Sequence, residues 1–143
     1  MKTQPFFTIF LLTIICFSCK KDANDTPKTK TELLTSKTWV YDEYFTNYNS
    51  ANTVLSYKRG KTNNSLNLSS NRSKFNSDGT TSEINQNGTS VPGTWKFTNN
   101  ETQTEVTNGV GTFTANVISL SDNSFIWLDV NASSGTYAKM IPQ

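Results

Sequence analysis

Carboxylates are the main candidates for acid–base chemistry in this sequence, because the chain has no histidine and only two cysteines. Asp42 and Glu43 are adjacent, and adjacent side chains on a strand point to opposite faces. Glu101 and Glu105 would share one face of a strand, but about 13 Å apart. Neither pair can share a reacting atom, and the chain has no Gly-rich phosphate loop. We therefore predict no catalytic residues and a protein that is not an enzyme.

The charged residues do not indicate a metal or nucleic-acid site. Asp78 and Asp122 offer oxygen ligands in predicted turns, but neither turn has the ligand spacing of a calcium loop. The formal net charge is +2 at pH 7, whereas nucleic-acid binding requires a concentrated basic surface. We expect no metal, no cofactor and no nucleic-acid partner.

The two cysteines, Cys16 and Cys19, lie at the end of an apolar segment, Pro5–Phe17. This segment is shorter than the roughly 20 residues that a transmembrane helix needs. A disulfide inside a removed leader would stabilise nothing. The apolar run, the small residue Ser18 before Cys19 and the polar residues after it resemble the lipobox of bacterial lipoproteins. That resemblance implies that residues 1–18 are a lipoprotein signal peptide and that Cys19 carries the lipid.

Residues 19–30 are charged and polar, with one proline and no large apolar side chain. We predict a flexible tether here, because such a segment cannot bury enough surface to order itself. Several acyl chains on Cys19 would give a lasting membrane anchor, since a single chain binds only marginally. The Lys/Asp-rich start resembles the surface-export tags of Bacteroidota lipoproteins. We expect a protein of the cell envelope, at the outer membrane, with both the periplasmic and the surface face left open.

The elements that must position any site are predicted from residues 31–143, where short alternating segments indicate strands. Asp78-Gly79 and Asn87-Gly88 are preferred in tight hairpin turns where the chain needs a positive φ. Consecutive hairpins with short turns favour a barrel over a sandwich. We predict an all-β fold, an antiparallel up-and-down β-barrel of about eight strands with a short N-terminal helix.

Two local features accompany this barrel. Thr29 or Thr31 could cap the short helix, whose apolar contacts would come from the two leucines of TELLTSK. Leu66 and Leu68 alternate with polar residues and could form a short edge strand.

The order and spacing of four motifs resemble the lipocalin-like lipoproteins of Bacteroidota. In chain order they are Leu33-Leu34 with Trp39, Phe75 with Asp78-Gly79-Thr80, Gly93 with Trp95, and Leu120 with Asp122. The resemblance covers nearly all of residues 31–143. It implies one lipocalin-type barrel whose interior can hold an apolar cavity, and it names no ligand.

Six aromatic residues on separate predicted strands are the candidate ligand-binding residues, because inward-facing rings converge in a closed barrel. They are Trp95, Trp39, Tyr41, Phe113, Trp127 and Tyr137. Trp39 and Trp95 are the first choices, since both lie on motif strands. The alternative is that the rings form the core, because aromatic side chains dominate the cores of small domains. Trp39, following the helix, could also seal the barrel end.

We predict a monomeric, lipid-anchored protein whose non-catalytic function is to bind a small apolar or amphipathic ligand inside the barrel. The alternative is a surface-interaction or glycan-binding module with a filled barrel, since only 34% of the residues are hydrophobic. In that case exposed Tyr44, Tyr48 and Tyr57 could stack on sugar rings.

Overall fold

A computed structural model describes residues 26–129 and 135–143. The predicted signal peptide, the lipidation residue Cys19 and the first part of the predicted tether lie outside the described residues. The elements are α1 (Lys30–Thr35), β1 (Thr38–Tyr48), β2 (Val54–Lys58), β3 (Arg72–Phe75), β4 (Thr80–Ile84), β5 (Ser90–Thr98), β6 (Gln103–Asn108), β7 (Gly111–Leu120), β8 (Phe125–Asp129) and β9 (Gly135–Pro142). Among these residues, no helix has the length and apolar character needed to cross a membrane.

Eight of the strands form a closed antiparallel barrel. From β3 to β9 each strand pairs with the next one along the chain, and β1 joins β3 to β9. Tyr41 of β1 lies opposite Met140 of β9 in the closing pair. The short strand β2 pairs with the second half of β1. The predicted antiparallel barrel of about eight strands with a short N-terminal helix is confirmed.

The hairpin turns follow the local sequence signals. Gly79 and Gly88 have φ angles of 83° and 82°, values that glycine adopts without steric cost. The Gly79 amide donates to the Asn76 carbonyl at 3.1 Å, and β3 then pairs with β4. The edge strand predicted around Leu66 and Leu68 is wrong, because this segment is irregular. Its backbone contacts β2 through the Leu66 amide, which donates to the Ser56 carbonyl at 3.0 Å.

Helix α1 closes one end of the barrel. Thr29 is its cap, with a reciprocal hydrogen-bond pair to Glu32. Leu34 and Trp39 are completely buried, and the Trp39 indole donates to the Leu34 carbonyl at 2.8 Å. These contacts give the short helix a fixed position, since an isolated helix of this length is unstable in water.

The end of the predicted tether contacts the same end of the barrel. The Lys28 ammonium lies 2.7 Å from the Asp122 carboxylate, in the turn between β7 and β8. The Lys30 ammonium donates to the Glu101 carbonyl at 2.7 Å, in the turn between β5 and β6. Lys30, the last residue of the tether predicted for residues 19–30, is the first residue of α1.

Candidate functional site

The interior of the barrel contains a cavity of about 240 Å³. Its wall combines aromatic, aliphatic and polar side chains from seven of the eight barrel strands. The lining residues are Tyr41, Tyr44, Ser73, Phe75, Glu83, Thr104, Val106, Asn108, Phe113, Ala115, Phe125, Trp127 and Met140. The volume is close to that of eight liquid waters, at about 30 Å³ each. It lies just below the roughly 300 Å³ at which pockets for drug-sized ligands begin.

The aromatic part of the wall is a set of rings in edge-to-face contact. Trp127 lies 5.2 Å from Phe113 and 6.4 Å from Tyr44, measured between ring centroids. Tyr44 in turn lies 5.7 Å from Tyr41. The Trp127 indole N–H is directed at the Met140 sulfur, 3.4 Å away. Each ring is therefore held by its neighbours, which fixes the shape of the wall.

Side chains three residues apart on a regular strand point to opposite faces. A β-bulge nevertheless places Tyr41 and Tyr44 on the same wall of the cavity. The pairing of β1 with β9 shifts between Tyr41 and Glu43, so Asp42 is an extra residue in β1. A bulge reverses the alternation of the side chains that follow it. Both tyrosines consequently line the cavity.

The bulge also overturns the expectation that Asp42 and Glu43 point to opposite faces. Both carboxylates contact the Lys58 ammonium, at 3.2 Å and 2.7 Å, and Asp42 also contacts Lys139 at 3.0 Å. Burial opposes ionisation of Asp42, but its hydrogen bonds to Lys139 and Lys58 outweigh burial and lower the pKa of this carboxyl. The pair is part of an ion-pair network with lysines.

The second carboxylate pair is separated by the fold. Glu101 lies in the turn before β6, whereas Glu105 lies on β6 and pairs with Lys96 at 2.8 Å. Within residues 26–129 and 135–143, no group of three His, Cys, Asp or Glu side chains is placed to hold a metal ion.

The polar part of the cavity wall includes one carboxyl group, that of Glu83. Glu83 lies on β4 opposite Ser73 of β3, and Ser73 also lines the cavity. Burial raises the pKa of the Glu83 carboxyl, although a hydrogen bond from the Asn108 side chain acts in the opposite direction. The wall therefore contains an ionisable group in an environment that disfavours its charge.

Burial and nearby carboxylates raise the pKa values of Tyr41 and Tyr44. Burial raises the pKa of Tyr41, and the negative charge of Glu83 adds to this effect. Burial also raises the pKa of Tyr44, where a hydrogen bond to Thr136 opposes the shift and the charge of Asp129 supports it. Both phenols are therefore neutral at physiological pH and can donate a hydrogen bond into the cavity.

Three of the six aromatic residues singled out from the sequence line the cavity: Tyr41, Phe113 and Trp127. Trp39 and Trp95, the first choices, are placed elsewhere. Trp39 is buried beneath α1 and packs edge-to-face on Phe125, with 5.8 Å between the ring centroids. The alternative role of Trp39, sealing the barrel end, agrees with this position.

Trp95 belongs to the solid core near α1. Its ring lies between Phe75, at 5.5 Å, and Phe97, at 5.3 Å. Its indole N–H donates to the Asn76 carbonyl at 2.8 Å, which connects β5 to the first hairpin turn. Trp95 is therefore held by packing and a hydrogen bond, and it does not line the cavity.

Tyr137 lies on the outer face of the barrel. It stacks on Tyr48, with 4.7 Å between ring centroids and an interplanar angle of 24°, and Phe45 packs against both rings. This outer aromatic cluster, Phe45–Tyr48–Tyr137, forms because β1 and β9 are neighbours at the barrel closure.

The three tyrosines considered for sugar stacking do not form one surface. Tyr44 lines the cavity, Tyr57 is buried, and Tyr48 belongs to the outer aromatic cluster. The Phe45 ring is inclined by 63° to Tyr48 and by 76° to Tyr137. These rings pack on one another and do not present a planar row.

Glu83 and Asn108 were not singled out from the sequence, although their alternation points to the interior. Thr81 is buried and opposite Phe75 in the β3–β4 pair, so Glu83, two residues later, faces the same side. Asn108 follows Val106 by the same spacing. The signal that could have identified Glu83 and Asn108 from the sequence is a polar residue at an inward-facing position of a strand.

Comparison with known proteins identifies the fold. No protein-family profile matches the sequence, and no curated protein matches it significantly. The crystal structure of a lipocalin-like protein from Bacteroides uniformis matches with a TM-score of 0.52 and 13% sequence identity, over 78% of this chain and 99% of that chain. An uncharacterized protein from Bacteroides eggerthii matches with a TM-score of 0.45 and 15% identity, over 73% of this chain and 97% of that chain. This chain has a lipocalin-like fold.

Proposed function

We propose that this lipocalin-like barrel binds a small apolar or amphipathic ligand in its interior and is not an enzyme. The observation that supports binding is the cavity of about 240 Å³ with Tyr41, Phe113 and Trp127 in its wall. Concave, mostly apolar pockets with a few polar groups are the usual form of small-molecule sites. The volume favours compact compounds over long acyl chains.

The absence of a reactive pair supports a non-catalytic role. Four carboxylates outside the cavity wall, Asp42, Glu43, Glu105 and Asp122, lie within ion-pair distance of lysines. Among the described residues that line the cavity, Glu83 is the single carboxylate, and no lysine accompanies it. Acid–base chemistry on a bound molecule normally needs a second group with a matched pKa.

Binding is testable by intrinsic fluorescence, because Trp127 lines the cavity and the other two tryptophans do not. Titration of the full-length protein with small aromatic and alicyclic alcohols should give a saturable quench or blue shift. The response should persist in Trp95→Phe and be lost in Trp127→Phe. The absence of a saturable response to every compound would contradict the proposal.

We also propose that the barrel is held at the cell envelope by lipid on Cys19, as a monomer at the outer membrane. The lipobox resemblance of residues 1–19 supports this. Mass spectrometry of the mature N-terminus should find a diacylglyceryl cysteine, and an unmodified Cys19 would contradict the proposal.

A further inference from the structure

We propose that the cavity selects ligands with an apolar body and a protonated amine head, and that the Glu83 carboxylate binds this head. This inference rests on the proposed function, because it names the class of ligand that the same cavity takes. It follows from the position of Glu83, the charges around it and the size of the cavity.

The carboxyl lies near the end of the barrel opposite α1. Glu83 is the second-last residue of β4, and Asn108 is the last residue of β6. Lys30 of α1 contacts the turn preceding β6, and Lys28, the residue before the cap, contacts the turn between β7 and β8. Both turns are therefore at the α1 end of the barrel. Strand β6 runs away from that end, and so does β4, because β5 lies between them and is antiparallel to both. The Glu83 carboxyl and the Asn108 amide therefore lie toward one end of the cavity, while Phe75 and Phe125 lie toward the other. A ligand with one polar end and one apolar end matches this division.

No positive group of the cavity wall balances the carboxyl. Among the thirteen described residues that line the cavity, none is a lysine or an arginine. The outer carboxylates of Asp42 and Glu105, by contrast, have lysine partners at 3.0 Å and 2.8 Å. A bound cation would be attracted by the Glu83 carboxylate, whose charge no lysine or arginine among the described residues of the cavity wall neutralises.

The surrounding groups suit an ammonium ion in particular. A protonated amine has several N–H donors, and the Glu83 carboxylate and the Tyr41 hydroxyl are close enough to interact electrostatically. The faces of Tyr44 and Trp127 add cation–π attraction where they are shielded from water. Burial and the absence of a neighbouring cation also explain why the pKa of Glu83 is raised, and a bound ammonium would reverse that shift.

Size and charge together disfavour the ligand class most often associated with apolar cavities. A cavity of about 240 Å³ suits a compact ligand better than a long acyl chain. An anionic head would also lie beside Glu83 without a cation to offset the repulsion. Compact arylalkylamines satisfy both limits, since one ring can lie among Phe113, Trp127 and Phe125 while the amine reaches Glu83.

The test compares three probes of nearly equal shape, phenethylamine, phenethyl alcohol and hydrocinnamate, by isothermal titration calorimetry of the full-length protein. The titration is done at about pH 8, where the amine is positive and the pH lies well above the ordinary pKa of a carboxyl group. We expect phenethylamine to bind at least about tenfold more tightly than the other two, the factor that corresponds to about 1.4 kcal/mol. Charge-assisted hydrogen bonds reach this size.

Two variants assign the preference to Glu83. Glu83→Gln should weaken amine binding about tenfold or more and leave the alcohol within about twofold. Glu105→Gln, a matched change on the outer surface of β6, should leave all three affinities unchanged. Near-ultraviolet circular dichroism verifies that each variant keeps its core packing.

The possible failures are distinguishable. If the alcohol or the acid binds as tightly as the amine, or Glu83→Gln leaves amine binding unchanged, the amine preference is overturned while ligand binding in the cavity stands. If none of the three probes binds, both the preference and the proposed binding function are overturned.

Discussion

Individual residues inside this barrel have two different functions that their types alone do not reveal. Trp39 and Trp95 use their rings and indole N–H groups for packing, whereas Trp127 exposes part of its ring to the cavity. The same division holds for acids. Asp42 is stabilised by two lysines, whereas Glu83 faces the cavity without such a partner in its wall. A buried carboxyl in that setting reduces stability when it is ionised.

At the residue scale, we predict that Glu83→Gln stabilises the protein at neutral pH. The folded state holds the Glu83 proton more tightly than the unfolded state, because burial raises the pKa above its ordinary value of 4.5. Stability therefore falls as pH rises from 4.5 through the raised pKa. The variant has no such proton, so its Tm advantage should be largest at neutral pH and shrink toward acid.

Thermal unfolding of the two proteins at a series of pH values measures this difference. The titratable groups that face Glu83 in the cavity are Tyr41 and Tyr44, and both phenols stay neutral over this range because burial raises their pKa values. A Tm difference that is the same at every pH would show that ionisation of Glu83 is not its cause.

At the scale of elements, the close approach of β5 and β6 depends on one glycine. A Cβ added at Gly93 would lie 2.5 Å from the Thr107 carbonyl oxygen and 3.2 Å from the Asn108 Cβ. Gly93 has no positive φ angle, so the space and not the backbone conformation requires glycine here. This gives a physical reason for the glycine of the Gly93–Trp95 motif: it lets β6 approach the strand that carries Trp95.

We predict that Gly93→Ala destabilises the domain by about 1–3 kcal/mol, the usual cost of overpacking. Urea unfolding measures the change. Gly109→Ala is the matched control, since nothing lies within 4 Å of a Cβ added there and its φ is not positive. Equal effects of the two substitutions would show that the contact with Thr107 is not what makes Gly93 necessary.

At the scale of the whole molecule, the barrel is packed solidly at one end and has a cavity toward the other. The packed end is the one that α1 covers, where Leu34, Trp39 and Phe125 are buried. The cavity reaches past Ala115, a residue that is only 1% exposed and lies in the cavity wall. The cavity shares its wall with the core, since six of the ten buried core residues, Ala115 and Phe125 among them, also line the cavity.

We predict that Ala115→Leu fills the cavity and abolishes ligand binding without loss of stability. The added side chain replaces empty volume, which is a common way to stabilise a protein. Calorimetric titration with phenethylamine and thermal unfolding together measure both effects. Thr114→Leu, on the outer face of the same strand, is the control and should keep binding. Unchanged affinity in Ala115→Leu would place the ligand elsewhere.

Features that depend on local interactions could be predicted from the sequence. Gly79 and Gly88 specify hairpin turns between antiparallel strands. The Thr29 cap specifies where the helix begins. Each of these signals acts within a few residues, as does the alternation that marks the strands. These signals are enough to predict an antiparallel barrel of about eight strands. They also predict that aromatic rings such as Tyr41, Phe113 and Trp127 are inside it.

Which inward residues line the cavity and which fill the core could not be predicted, because long-range strand pairing places them there. The bulge at Asp42 forms where β1 pairs with β9, and it brings Tyr41 and Tyr44 to one wall although their spacing argues against it. Trp95 is taken into the core by Phe75 and Phe97. Glu83 faces the cavity because the pairing of β1 with β9 closes the sheet that contains β4 into a barrel. Such positions depend on long-range pairing, which no short stretch of sequence contains.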